Sequence, residues 1–136
     1  MGDTASLHRD MFDAVVKRDW EGLRALYHAD YSYMDGTGVE TKGAEAGLAV
    51  AQGYTTAFPD LTFEIRNQYT DGPDISIVEF TARGTHQAEL DGIAATGKSV
   101  EIFVCNVIVA QDGKILRERE YFDNLAILQQ LGVAPA

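Results

Sequence analysis

After Pro59 the hydropathy pattern of this chain changes its period, and that change narrows the available folds more than any other feature. Four segments, Leu61 to Tyr69, Ile75 to Gln87, Ser99 to Ala110 and Lys114 to Phe122, follow the two-residue repeat of strands or run continuously apolar. The turns at 71–74 (DGPD) and 111–113 (QDG) are short enough to make their flanking strands antiparallel hairpins, whereas 88–97 is a longer loop with Gly92 and Gly97. Before Pro59 the spacing is helical. Leu7, Met11, Ala14 and Val15 define a helix from Ser6 to Lys17, with Ser6 available as its N-cap. Asp19 caps a short second helix through Tyr27 that buries Trp20, Leu23 and Leu26, and Tyr31 to Asp35 forms a small strand broken by the glycines at 36–38. Leu48, Ala51 and Tyr54 mark a third helix from Glu45 to Phe58, stopped by Pro59. Helical spacing returns from Asn124 to Leu131, and Gly132 ends it. The expected order is α-α-β-α-β-β-β-β-α. Helices gathered on one face of a twisted sheet give an α+β fold, a curved mixed sheet wrapped around the N-terminal helices with a cleft between the layers.

No linker, charge block or repeat divides the 136 residues, so a single domain over 1–136 is expected. The formal charge of −10 opposes binding to phosphate backbones and to anionic lipid, and neither nucleic acid nor a membrane is an expected partner. The longest apolar run, 102–110, is interrupted by Asn106 and falls far short of the roughly 20 residues that span a bilayer. The opening MGDTASLHRD lacks the apolar core of a secretory signal, and Cys105 is the only cysteine, so a reducing cytoplasm is the expected setting. Gly2 and Ser6 match the loose N-myristoylation pattern, but one acyl chain beside an acidic body anchors weakly and is not favoured.

Alternation assigns faces to the strands. Val78, Phe80, Ala82 and Gly84 share the inward side, Glu79, Thr81 and Arg83 the outward side, and His86 is in phase with the inward set. The segment 100–110 is apolar on both faces: Val104 and Ile108 lie on one, Phe103, Cys105, Val107 and Val109 on the other. A chain of this size has no second layer to cover that outer face, so a homodimer joined through the convex sheet surfaces is expected.

The three histidines, His8, His28 and His86, lack metal-ligand spacing, and no metal site is expected. A glycine-rich phosphate loop and a nucleophile elbow are also missing, so neither a cofactor nor covalent catalysis is expected. Carboxylate and histidine chemistry in an apolar cleft remains, because desolvation raises a carboxyl pKa toward neutrality and makes the group a usable base. Three residues are candidates. Asp123, in phase with Tyr121 and Arg119, is either a base at the cleft mouth or the N-cap of the last helix. Asp35 is a base or a turn-forming aspartate beside the glycines at 36–38. His86 is an acid–base group or a satisfied structural histidine.

The segments AFPDLTFEI (57–65), ARGTHQAELDGIAATGKSVEI (82–102) and REYFDNLAILQQLGV (119–133) resemble the SnoaL-like polyketide cyclases of the nuclear-transport-factor-2-like superfamily, and DWEGLRALYHADYSYMDG (19–36) is similar to that superfamily's helix-to-strand entry. The resemblance covers nearly the whole chain and implies a cone-like roll with an internal pocket. In the cyclases the residue at the Asp123 position is the general acid/base of an intramolecular aldol ring closure. The resemblance therefore implies that Asp123 removes a proton beside a carbonyl of a small hydrophobic substrate, without metal or cofactor. One departure matters: the family's helping histidine on the penultimate strand is matched here by Asn106, which can donate a hydrogen bond to an enolate oxygen but cannot shuttle a proton, so either His86 substitutes for it or the cyclase activity is absent.

Ketosteroid isomerases share the superfamily. Aligned without gaps, their catalytic base falls on Asp35, their carbonyl-polarising tyrosine on Met11 and their second acid near Asn106, an incomplete match. The Arg-x-Asp pair of limonene epoxide hydrolases falls on Arg83 and Thr85 or on Gly84 and His86, also incomplete. The expected site is thus catalytic Asp123, His86 and Asp35, with Asn106, Tyr33, Tyr121, Trp20 and Met11 forming the substrate wall. A non-catalytic binding module or a dimeric interaction protein on the same fold is the competing expectation, the latter with Trp20, Tyr54 and Phe58 filling the cleft.

Overall fold

A computed structural model describes residues 3–135; Gly2, and with it the myristoylation match, lies outside the described residues. The elements are α1 (Thr4–Lys17), α2 (Trp20–Leu26), β1 (Tyr27–Asp35), β2 (Glu40–Lys42), α3 (Ala44–Ala57), β3 (Thr62–Asp71), β4 (Ile75–Thr85), β5 (Ser99–Gln111), β6 (Lys114–Phe122) and α4 (Asn124–Gln130). The α+β expectation holds. The six strands form one mixed sheet in the order β2-β1-β6-β5-β4-β3, antiparallel throughout except where β1 runs parallel to β6.

Local differences from the sequence expectation have plain causes. Helix α1 starts two residues before Ser6, because the Asp3 carboxylate accepts from the Ser6 amide at 2.7 Å and takes the cap role expected of Ser6 itself. Asp19 caps α2 as expected, but the chain is already extended at Tyr27, so β1 begins four residues before Tyr31. Strand β2 was invisible to alternation: its three residues are all exposed, and only pairing with β1 defines it.

The helices pack on the concave face of the sheet. Phe12 of α1 meets Phe80 edge-on at 4.8 Å and Phe63 at 5.4 Å, and Met11, Leu23, Leu48 and Val78 close the same core. A second cluster at the far end joins Phe58, Leu61, Val100 and Ile102 to Ile127 and Leu131 of α4. Each such side chain contributes roughly 1.5–3 kcal/mol by leaving water. Two glycines let backbone approach aromatic rings. A Cβ at Gly47 would stand 2.6 Å from a Tyr31 ring carbon, and one at Gly84 would stand 2.9 Å from Phe58 Cβ. On the convex face Phe103 is 69% exposed, with Tyr69 and Tyr121 also exposed, as expected for a surface left without a covering layer. Among the described residues no helix is long and apolar enough to cross a membrane.

Helix α3 carries its own control for the close approach. Gly47→Ala should lower stability by about 1–3 kcal/mol through overpacking against Tyr31. Gly53→Ala, in the same helix with nothing within 4 Å of the new methyl, should raise it by about 0.5–1 kcal/mol. Urea unfolding of the two variants checks both signs.

Candidate functional site

The space between α1, α3, α4 and the sheet is a cavity of about 120 Å³, partly open to solvent, near the size that admits a single benzene-like ring. Its walls are apolar, with Met11, Phe12, Tyr54, Phe58, Phe80 and Val104 among them. Its polar floor comes from β6. Glu118 and Glu120 are two residues apart on one strand, so both side chains point to the concave face with Phe122.

Neighbouring strands hold the two carboxylates. Tyr31 and Tyr33 of β1 lie on the same face, and their hydroxyls donate to Glu118 Oε1 at 2.5 Å and Glu120 Oε1 at 3.0 Å. Asn106 of β5 is paired directly with Glu120 in the antiparallel register, and its Nδ2 donates both to Glu118 Oε2 at 2.8 Å and to Glu120 Oε2 at 2.9 Å. Behind Asn106, His8 of α1 is fully buried, 2.8 Å from Asn106 Oδ1 through Nε2 and 2.8 Å from Ser76 Oγ through Nδ1.

No described lysine, arginine or histidine forms an ion pair with either glutamate. Burial raises the Glu118 carboxyl against the pull of its Tyr31 and Asn106 hydrogen bonds. Glu120 is pushed up to about 7, first by burial and then by the charge of Glu118, with Asn106 and Tyr33 opposing. Burial lowers His8 to about 4, which leaves its ring neutral over the physiological range. Burial also raises Tyr33 and Tyr54, so both phenols stay protonated donors.

The expected site residues divide sharply. Tyr33 and Met11 line the cavity as expected, whereas Asn106 does not: it is fully buried behind the floor, with its amide spent on Glu118 and Glu120. Asp123 does not line it: the residue is exposed, and its carboxylate accepts from the Ala126 amide at 3.1 Å as the N-cap of α4. Tyr121 is 47% exposed on the convex face. Both misplacements share a cause: Ile115 is buried at the start of β6, but beyond the register shift Glu118, Glu120 and Phe122 face inward and the phase of Arg119, Tyr121 and Asp123 faces out. His86 is fully buried at the end of β4 outside the cavity lining. Its ring centre lies 5.5 Å from that of Phe58, and its Nδ1 accepts from the Thr96 amide. Asp35 accepts from the Thr37 amide and hydroxyl in a tight turn. Trp20 packs against the core rather than the cavity.

Glu118, Glu120 and His8 were not singled out from the sequence, although signals for them existed. Asn106 reads as inward, but the register at the QDG turn, continued without a break, pairs it with Arg119; a bulge between Val109 and Ala110 shifts its partner to Glu120 and turns that glutamate inward. Thr4, His8, Met11 and Phe12 share one face of α1 at helical spacing.

A family model for SnoaL-like polyketide cyclases matches residues 6–131. The chain belongs to that family. Among solved structures, IdmH of Streptomyces antibioticus, a candidate polyketide cyclase, is 29% identical and superposes with a TM-score of 0.83 over 97% of this chain and 100% of its own. AclR of Streptomyces galilaeus, a candidate hydroxylase, is 24% identical, with a TM-score of 0.84 over 96% and 85% of the two chains. A candidate SnoaL-like polyketide cyclase from Jannaschia sp. CCS1 is 18% identical, with a TM-score of 0.88 over 97% and 93%. No curated protein sequence matches the chain. All three share the helix-covered curved sheet described above.

The raised Glu120 carboxyl makes a stability prediction with a definite sign. Its folded pKa of about 7 lies above the ordinary 4.5, so the stability it contributes is complete below about pH 4.5 and is lost as pH rises through about 7. Glu120→Gln removes that dependence, and the Tyr33 hydroxyl can turn to accept from the new amide. The melting temperature of Glu120→Gln minus that of the native chain should therefore be larger at about pH 8 than at about pH 5.

Proposed function

We propose that this SnoaL-like protein is a cofactor-independent acid–base enzyme that moves a proton at carbon beside a carbonyl of a small hydrophobic substrate, for intramolecular aldol-type ring closure or isomerisation. Glu120, rather than Asp123, is the proton-transfer group. The observation that carries this reading is the placement of Glu120 at the floor of an apolar cavity with no described cation beside it, where burial lifts its carboxyl to about 7. A base whose pKa sits near the working pH combines a usable anionic fraction with real proton affinity.

In the proposed reaction the Glu120 carboxylate takes the proton from the activated carbon, and the bonding pair moves onto the carbonyl oxygen as an enolate. Tyr54, whose phenol burial keeps protonated, is the cavity-lining donor suited to that oxygen. For ring closure the enolate carbon forms a bond to a second carbonyl of the same molecule, and the new alkoxide recovers the proton from the Glu120 carboxylic acid. For isomerisation the proton returns to a different carbon. Electrons and protons balance within the substrate and Glu120, so no external oxidant or reductant enters.

Small 1,3-diketones in deuterated water supply a direct assay, with carbon-bound hydrogen loss followed by NMR. Exchange should rise with pH through an apparent pKa of about 7, and Glu120→Gln should slow it by roughly 10²–10⁴-fold. Asp123→Ala should lower the melting temperature without changing the exchange rate. Full exchange by Glu120→Gln, or its loss in Asp123→Ala, would remove Glu120 from the proposal.

The convex face supports the expected pairing of two copies. Cross-strand register places Tyr69, Val107, Phe103, Cys105 and Tyr121 on one surface, flanked by Arg83 and Arg119 and by Glu64, Glu79 and Glu101. Apolar area ringed by both signs of charge is self-complementary under a two-fold axis. Phe103→Glu should convert a dimer into a monomer in sedimentation velocity; a native chain that sediments as a monomer would refute the pairing.

A further inference from the structure

The buried polar side chains extend well past the two glutamates, and their donors point in one direction. Asn106 commits both Nδ2 hydrogens to carboxylate oxygens, so its Oδ1 must face His8. A carbonyl oxygen only accepts, which puts the His8 proton on Nε2 and leaves Nδ1 as a lone pair. The Ser76 hydroxyl at 2.8 Å must then donate to Nδ1, and Ser76 Oγ accepts in turn from Gln68 Nε2 at 3.1 Å. Gln68 Oε1 accepts from Arg9 Nε at 2.6 Å on the surface. His8, Ser76 and Asn106 are each fully buried, and an apolar core would have no use for any of them.

We propose that His8 is a positioning residue: by donating from Nε2 to Asn106 Oδ1 it fixes the direction of the Asn106 amide, so that both amide hydrogens are held on the Glu118–Glu120 pair. Without that donor the amide can turn, and a carbonyl oxygen facing the carboxylates disfavours their charged form. The inference rests on the proposed role of Glu120 for its consequence in catalysis, but its geometry and its test do not require a substrate.

The groups facing the pair are few and can be named. Tyr31, Tyr33 and Asp35 come from β1, Tyr27 stands at the α2–β1 junction, Tyr54 comes from α3, and Asn106 comes from β5. None is cationic. Asn106, backed by His8, is therefore the one donor shared by both carboxylates.

Two NMR measurements on the intact protein test this. Nitrogen-15 spectra of the native imidazoles at about pH 8 should show His8 neutral and protonated on Nε2; the Nδ1–H tautomer or a doubly protonated ring overturns the assignment. Carbon-13 titration of the Glu120 carboxyl should place its midpoint about one pH unit higher in His8→Phe, a tenfold change in proton affinity. His8→Gln, whose side-chain amide can again donate to Asn106 Oδ1, should bring the midpoint back toward the native value. An unmoved midpoint in folded His8→Phe, or equal shifts in His8→Phe and His8→Gln, overturns the proposal. If His8→Phe does not fold, His8→Leu, which also lacks the donor to Asn106 Oδ1, takes its place in the same comparison with His8→Gln. Failure of the diketone assay alongside a shifted midpoint would sink the catalytic reading and leave this one standing.

Discussion

Two inward-facing carboxylates on one strand, one buried and one half-buried, with no described cation to neutralise them, are the constraint around which this molecule is organised. Removing an ionised carboxylate from water is costly unless hydrogen bonds replace the lost hydration, and two such groups also repel each other. The fold answers with donors only. Tyr31, Tyr33 and Asn106 cover the inward oxygens of Glu118 and Glu120, and each donor comes from a strand directly beside β6. Neutral donors lower the cost of charge without abolishing it. A lysine or arginine at the same place would hold the carboxyls permanently ionised and weakly basic.

That arrangement explains the strand order. Pairing β1 parallel to β6 sets Tyr33 opposite Glu118 and Asp35 opposite Glu120, bringing the phenols of β1 to the glutamates from one side. The antiparallel β5 brings Asn106 from the other. The apolar wall comes from α1 and α3 across the concave face, and the glycine at position 47 lets α3 approach closely enough to lie on Tyr31. The carboxylate site and the core are one construction: Met11 and Phe12 exclude water from the cavity that sets the Glu120 proton affinity, while His8, one turn earlier on α1, reaches Asn106.

Most of the fold was legible because its signals are local. Pro59, the short turns at 71–74 and 111–113 and the change of hydrophobic period sufficed for the long strands and the four helices, while β2, three exposed residues defined by partner pairing alone, left no trace. The site was harder to read because it is not local. Asn106 was reached through alternation, but β6 carries charges on both of its faces, so hydropathy could not say which of the two sets points inward. The phase taken from Tyr121 and Arg119 led to Asp123, which proved to be a helix cap. The missing information was a bulge: the tight hairpin alone pairs inward Asn106 with Arg119, and the register shift between Val109 and Ala110 moves that partner to Glu120 and reverses the phase of β6 beyond it.

Two glutamates of identical chemistry are given different environments by their neighbours. Glu118 is only 7% exposed and takes the shorter tyrosine hydrogen bond, 2.5 Å from Tyr31. That contact favours the charge on Glu118, and a charge there is the second cause, after burial, that lifts Glu120. Glu120 accepts a longer bond from Tyr33 and remains half-buried at the cavity wall, where a substrate can reach it. A ligand that fills the cavity would exclude the water that still reaches this carboxyl, and burial is already the leading cause of its raised pKa. Filling the cavity should therefore increase the proton affinity of Glu120 further, which in the proposed reaction strengthens the base at the point where the acidic carbon is brought against it.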